Sequence, residues 1–134
     1  IRDIGVTGVQ TCALPISKPF SDRAKERTKI LYKKIEIISY FFNLNNNMGF
    51  VIENPKGMMR NDKKIKQFLL NSTYYCNYND ERTKPTDFFS NFELDLNSNR
   101  CKGIKNIVNI PLCERYKIPA KLTRHILKKY LELF

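Results

Sequence analysis

Glu53 follows directly on an apolar run, Met48-Gly49-Phe50-Val51-Ile52, and is itself followed by Asn54 and Pro55. A short continuous apolar run reads as a strand buried on both faces, and in open α/β sheets ligands collect beyond the carboxyl ends of strands. A carboxylate at such a point can accept hydrogen bonds from a ligand's amino group or exchange a proton with it. Pro55 fixes the exit of the chain, and Gly57 permits an unusual turn. Taken alone, a Glu at a strand end equally suits a solvated or helix-capping carboxylate. Further along, Arg82 and Lys84 occupy a charged turn, where they can bind phosphate or a base carbonyl, or simply face water.

The remaining chemistry-bearing residue types are sparse. Cys76, Cys101 and Cys113 form neither a CxxC pair nor an even set, which points to a reduced, cytoplasmic compartment. Cys76 falls in a strand-like pattern and reads as a core thiol, while Cys101 and Cys113 fall in late loops. The single His125 lies among Lys and Arg on the last helical segment and reads as a surface residue, so no metal site is expected.

These residues are carried by 134 residues of formal charge +11, with 24 Lys and Arg against 13 Asp and Glu. Such a surplus favours a polyanionic partner, although an AT-rich genome, which favours Lys, Asn and Ile codons, gives a similar composition. No apolar run approaches the roughly 18 residues of a membrane span. The stretch Val6-Thr7-Gly8-Val9-Gln10-Thr11-Cys12-Ala13-Leu14-Pro15-Ile16 is similar to the conceptual translation of a common sequencing-library adapter, with Arg2-Asp3 fitting the same adapter upstream. A secretory signal is the rival reading, but a basic n-region is missing and Pro, Gln and Thr interrupt the apolar residues. Residues 1–17 are therefore expected to be non-native, and residues 18–134 to form one small domain or part of a larger one.

The elements that must position Glu53 can be read from the spacing of apolar residues. Ser21-Asp22 starts a helix on which Leu31, Ile35, Ile38 and Phe42 share a face. The Asn-rich turn Asn43 to Asn47 ends it, and the apolar strand follows. Ile65, Phe68 and Leu69 predict a second, shorter helix. Tyr74 to Tyr78 and Asp87 to Asn91 predict two strands around a polar turn with Pro85, and Asn97 to Asn109 a loop. Pro119 opens a last helix with Leu122, Ile126, Leu127 and Tyr130 on one side. Helix, buried strand, helix, two strands and helix is the order of an α/β sheet that closes with an antiparallel pair. No Gly-rich loop after a first strand occurs in the chain, so it carries no recognisable cofactor-binding half.

Three blocks carry a resemblance. Phe50-Val51-Ile52-Glu53-Asn54-Pro55-Lys56-Gly57-Met58-Met59-Arg60 resembles the Glu-Asn block of phage-encoded cytosine-5 DNA methyltransferases, whose form is F-I-E-N-P-x-G-x-(L/M)-R. Tyr75-Cys76-Asn77-Tyr78-Asn79-Asp80-Glu81-Arg82-Thr83-Lys84-Pro85-Thr86-Asp87-Phe88-Phe89-Ser90-Asn91 is similar to that group's Y-C-Q-Y-G-D-x-R-x-K-P-T-D-I-W-T-N. Glu114-Arg115-Tyr116-Lys117-Ile118-Pro119-Ala120-Lys121-Leu122 looks like the closing R-Y-x-I-P-P-x-L. Asn79 stands where the group has Gly, a replacement that a left-handed turn tolerates. The wider family carries Gln-x-Arg-x-Arg in the second block, and alignment by the following strand puts Pro85 and Asp87 opposite those arginines.

The resemblance implies the C-terminal half of a Rossmann-like class I methyltransferase sheet, ending in an antiparallel strand pair and a C-terminal helix. It implies transfer of methyl from S-adenosylmethionine to a cytosine swung out of DNA. Glu53 would be the acid that recognises the base edge and protonates ring nitrogen 3. Asn54, Pro55, Arg82 and Lys84 would contact the substrate, and Glu53 is expected at the carboxyl end of a central strand with Arg82 or Lys84 facing the same cleft. The cofactor loop and the Pro-Cys nucleophile of the family have no counterpart in this chain, which is expected to be inactive alone in a bacterial or phage-infected cell. Two alternatives stay open. One is an amino-group DNA methyltransferase, although Asn54-Pro55-Lys56-Gly57 lacks that family's second Pro and aromatic residue. The other is a basic non-enzymatic nucleic-acid-binding module stacking bases on Tyr74, Tyr75, Tyr78, Phe88 and Phe89.

Overall fold

A computed structural model of the chain describes residues 21–134; the expectation for residues 1–17 lies outside the described residues. The first helix, α1 (Asp22–Leu44), begins where Ser21 Oγ accepts the Ala24 N–H at 3.1 Å, satisfying a donor that the first turn leaves unpaired. Asn45 leaves the helix in extended conformation. Ile35 is buried, with Leu31 packed beside it, so the first half of the expected face meets the sheet, whereas Ile38 and Phe42 are only half-buried. Tyr32 fastens the same face by donating to Asp62 Oδ2 at 2.7 Å.

The sheet has three strands, β1 (Val51–Pro55), β2 (Leu69–Tyr74) and β3 (Pro85–Ser90), in the order β1-β3-β2. β3 runs antiparallel to both neighbours, so β1 and β2 run parallel to each other. The chain is thus mixed α/β with a small antiparallel sheet. β3, not β1, is central, and it is buried along nearly its whole length. β1 lies at an edge of the described sheet and is half-exposed rather than buried on both faces. Its start is also later than the apolar run suggests. Asn91 accepts the Phe50 N–H and donates to the Met48 carbonyl, both at 3.0 Å, so a side chain replaces the strand ladder over residues 48–50.

Alternation along the strands makes two cores. Phe89 and Ile52 face α1 and join Ile35 and Ile65. Phe88 and Val51 face the other way, where Tyr75, Tyr78, Phe92, Leu94 and Leu122 close a second cluster. Leu122 belongs to the last helix, α3 (Ala120–Leu133), which starts at Pro119 as expected. Its Ile126 and Tyr130 also pack on that cluster, but Leu127 is exposed, because the stripe that meets the sheet is narrower than the spacing suggests. Gly49 lies against this helix: a Cβ there would come within 2.8 Å of the Tyr130 and Phe134 rings. A four-residue helix, α2 (Leu112–Arg115), precedes α3.

Two further expectations fail for local reasons. Ile65 and Phe68 do cover the first core, but from turns, with single hydrogen bonds from Lys66 N–H to the Asp62 carbonyl and from Phe68 N–H to the Ile65 carbonyl. A helix cannot continue there because Leu69 already pairs with Ser90 in β2. Tyr75–Tyr78 forms a 3-10 turn instead of a strand, and Asn79 ends it with φ 60°, ψ 33°. That is the left-handed geometry which Asn tolerates in place of Gly. Gly57, by contrast, is simply extended at φ −174°.

Candidate functional site

Glu53 sits in the middle of β1, opposite Phe88 of β3, and points to the side of the sheet that carries Tyr75. The Tyr75 hydroxyl lies 3.5 Å from Glu53 Oε1, and Lys84 Nζ lies 3.9 Å from the same oxygen. Lys84 also donates to the Arg115 carbonyl at 3.0 Å. Tyr75 is fully buried; that burial and, next, the Glu53 carboxylate push its phenol far up from its ordinary range, so it stays a protonated donor. Position 53 is therefore a carboxylate corner with a neutral donor and a cation on one oxygen. It is not at a strand's carboxyl end as expected, yet it faces a cleft together with Lys84.

That cleft measures about 950 Å³ and is lined by Glu53, Pro55 and Lys84 on one side. Its other wall is the segment 102–107 together with Arg115, Tyr116 and Ile118. Five cations, Lys56, Lys84, Lys102, Lys105 and Arg115, face Glu53 as the lone carboxylate of the lining. Ile104, Ile107 and Leu112 give it an apolar flank. The volume falls at the upper end of the range typical for small-ligand pockets, about 300–1,000 Å³.

Arg82 has a different place. Its side chain is almost inaccessible, and its guanidinium donates to Asp80 Oδ1 and Oδ2 at 2.7 and 2.5 Å and to the Glu114 and Lys117 carbonyls at 2.8 Å each. Burial disfavours the charged Asp80, but these hydrogen bonds from Arg82 outweigh it and hold the carboxyl below its usual range. Arg82 lies 5.0 Å from the Tyr75 ring centre, behind the corner and outside the cleft lining. Asn54 is buried on the face opposite Glu53, its amide donating to the Pro55 carbonyl at 2.8 Å. Pro55 lines the cleft; Asn54 does not.

The far wall depends on contacts that only the fold creates. Gly103 donates to Thr83 Oγ1 at 2.8 Å, and a Cβ there would come within 2.3 Å of the Glu81 carbonyl oxygen, so only glycine lets the segment lie so close. Lys105 pairs with Arg82 as an isolated parallel bridge and forms an ion pair with Glu81. The same fold-back joins Cys76 and Cys101 in a disulfide, with Cα atoms 6.0 Å apart, while Cys113 is free and exposed. Cys76 is thus not a core thiol, and the three cysteines do include a pair. Sequence could not show this, because the partner comes from a loop with no periodicity. His125 is also not a plain surface residue: its Nε2 lies 2.7 Å from the Leu94 carbonyl oxygen, and its ring meets Tyr78 edge-on.

None of the known protein families, curated proteins or solved structures compared with this chain matches it. The site must be read from its own geometry. An anion-attracting cleft with an apolar flank and one carboxylate suits a ligand that combines phosphate, a flat apolar surface and a hydrogen-bonding edge. Of the aromatic residues expected to stack on bases, Tyr75, Tyr78, Phe88 and Phe89 are buried in the two cores and cannot. Sequence reasoning missed Tyr75 as a partner of Glu53, and missed Lys56, Lys102, Lys105 and Arg115 as cleft cations. The signal for Arg115 was the resemblance at the closing block; isolated lysines give none.

Proposed function

We propose that this chain is the base-recognising, acid-bearing part of a phage-type cytosine-5 DNA methyltransferase. The observation that carries the reading is the convergence of Glu53 and Lys84 at a cation-lined cleft. Cytosine offers an exocyclic amine and a ring nitrogen to a carboxyl group, and a carbonyl to a cation. Glu53 accepts from the amine and exchanges a proton with the ring nitrogen, and Lys84 donates to the carbonyl or to the adjacent phosphate. The lysines and Arg115 attract the DNA backbone, and the target base leaves the stack to reach Glu53. Thymine presents a carbonyl where cytosine has its amine, so it meets Glu53 as a second acceptor and is rejected.

The sheet is compatible with this reading. Two mutually parallel strands with a reversed strand between them form a suitable end for a larger, mainly parallel Rossmann-like sheet, whose further strands would pair with the outer edge of β1. S-adenosylmethionine and a thiolate nucleophile lie outside what these residues supply, so the chain by itself binds DNA without methylating it. A bacterial cytoplasm, where this function belongs, disfavours disulfides, and the reading assigns no role to the Cys76–Cys101 bond. No helix among the described residues is long and apolar enough to cross a membrane.

The test is binding of this chain to short oligonucleotides that carry one unpaired cytosine or one unpaired thymine. Cytosine is expected to bind about tenfold tighter, a difference of ~1.4 kcal/mol, and Glu53→Gln is expected to abolish the preference while leaving the cations in place. Equal binding of the two bases by the unaltered chain would sink the reading.

A further inference from the structure

Tyr75 has a role that the resemblance does not assign. Its ring fills the core beneath β1 and β3, and its buried hydroxyl lies 3.5 Å from Glu53 Oε1, behind the cleft wall. Lys84 Nζ approaches the same oxygen at 3.9 Å and stands 4.9 Å from the centre of the Tyr75 ring. Arg82, held by Asp80, lies 5.0 Å from that ring centre. A hydroxyl donor and an ion-paired ammonium therefore approach the same oxygen of Glu53, and two cations stand within 5.0 Å of the centre of the ring that supplies the hydroxyl.

We propose that Tyr75 is a positioning residue for Glu53, holding Oε1 jointly with Lys84 so that Oε2 is the oxygen offered to the base. A carboxyl group with a hydroxyl donor and a cation facing one oxygen uses that oxygen as its carbonyl and carries its proton on the other. In the ionised form Oε2 accepts from an amino group; in the neutral form it is the O–H that donates. When the proton passes from Oε2 to a ring nitrogen, the new carboxylate is stabilised at Oε1 by Tyr75 and Lys84. Among the described residues, the charged groups that line the cleft with Glu53 are Lys84 from the segment before β3, Lys56 beyond Pro55, and Lys102, Lys105 and Arg115 across the cleft, with the Arg82–Asp80 pair behind the ring. Tyr75 itself remains protonated beside them, as its upward displacement requires.

The proposal takes its chemistry from the base-pocket reading but can be tested without it. Carbon-13 NMR of the Glu53 carboxyl carbon, assigned with Glu53→Gln, is followed against pH in the full chain and in Tyr75→Phe and Lys84→Met. A hydrogen bond donated to a carboxylate favours the charged form, so its loss is expected to move the Glu53 midpoint to higher pH in both variants. A Tyr75→Phe chain that melts at lower temperature but leaves the midpoint unchanged would show a purely structural ring and overturn the proposal. Should Tyr75→Phe not fold, the Tyr75 ζ-carbon in the unaltered chain serves instead. It is expected to shift as Glu53 ionises and to lose that step in Glu53→Gln; a step that persists overturns the proposal. The cytosine preference is scored separately. A moved midpoint with no effect of Glu53→Gln on cytosine binding leaves Tyr75 as Glu53's partner and removes the base pocket. An unmoved midpoint with the cytosine preference lost in Glu53→Gln does the reverse.

Discussion

Arg82 and Lys84 are two residues apart, on the same turn and against the same tyrosine ring, yet they are put to opposite uses. Arg82 spends four donated hydrogen bonds on Asp80 and on the carbonyls of residues 114 and 117, and is sealed off. Lys84, whose side chain is almost as little exposed, donates to the Arg115 carbonyl at 3.0 Å and stands 3.9 Å from the Glu53 carboxylate, but it lines the cleft where Arg82 does not. The planar fork of Arg suits a closed polar knot, whereas the single ammonium of Lys on a flexible stem can exchange partners.

Removing Arg82 is expected to have the largest effect. Arg82→Leu leaves Asp80 without its partner and frees the segment that forms the far wall of the cleft. Breaking a buried pair in this way costs about 3–5 kcal/mol, so chemical denaturation is expected to show a large loss of stability, and Arg82→Lys to recover only part of it. If Arg82→Leu were as stable as the unaltered chain and merely bound DNA less well, the two residues would have to exchange roles.

A smaller effect follows from acid. The Asp80 carboxyl is held below its usual range in the folded chain by Arg82, against the opposing effect of burial. A depressed folded value means that the stabilisation is present above the unfolded carboxylate range, about pH 3.9, and is lost as pH falls through the folded value. Unfolding free energy measured against pH is therefore expected to drop below about pH 4. In Asp80→Asn stability is lower above about pH 4 and approaches that of the unaltered chain in acid, so the acid-dependent part of the drop is reduced.

Lys84→Met should do the opposite of Arg82→Leu. Its melting temperature is expected to stay close to that of the unaltered chain, because the methionine stem keeps the packing on Tyr75. Affinity for a cytosine-bearing oligonucleotide is expected to fall about tenfold, and the dependence of binding on salt to weaken by roughly one counterion. Loss of stability without loss of affinity would show Lys84 to be part of the closed knot.

Much of the frame was legible because its causes are local. The Ser21 cap, the left-handed Asn79 and the Pro119 start each depend on a few neighbouring residues, and each is found where the residue type places it. The errors share a different origin. The strand at residues 48–50 is displaced by the amide of Asn91, the helix at 65–69 is cut short by pairing with β3, and Cys76 meets Cys101 only because Gly103 lets a loop lie against Thr83. Each of these needs a partner distant in sequence. The site divides in the same way: Glu53 could be picked out by its place after an apolar run, whereas Tyr75, a core aromatic by every local criterion, becomes Glu53's partner only once β1 lies beside β3.

The smallest expected effect sharpens the comparison at a single residue. Lys117 touches the closed knot through its backbone, whose carbonyl accepts from Arg82 at 2.8 Å, while its ammonium pairs with Glu114 at 2.7 Å on the exposed surface. The Glu114 hydrogen bond and charge raise the Lys117 pKa, but water and salt screen so open a pair, and holding two long side chains in one geometry costs entropy. Lys117→Ala deletes the exposed pair and keeps the carbonyl. Its melting temperature is expected to match that of the unaltered chain within error, at low and high salt alike, and its DNA affinity to change little, since Lys117 is outside the cleft lining. A clear loss of stability in Lys117→Ala, reversed by salt, would mean that the surface charge holds residues 114–117 in place. Arg82 would then owe its apparent grip on that segment to the ion pair outside it.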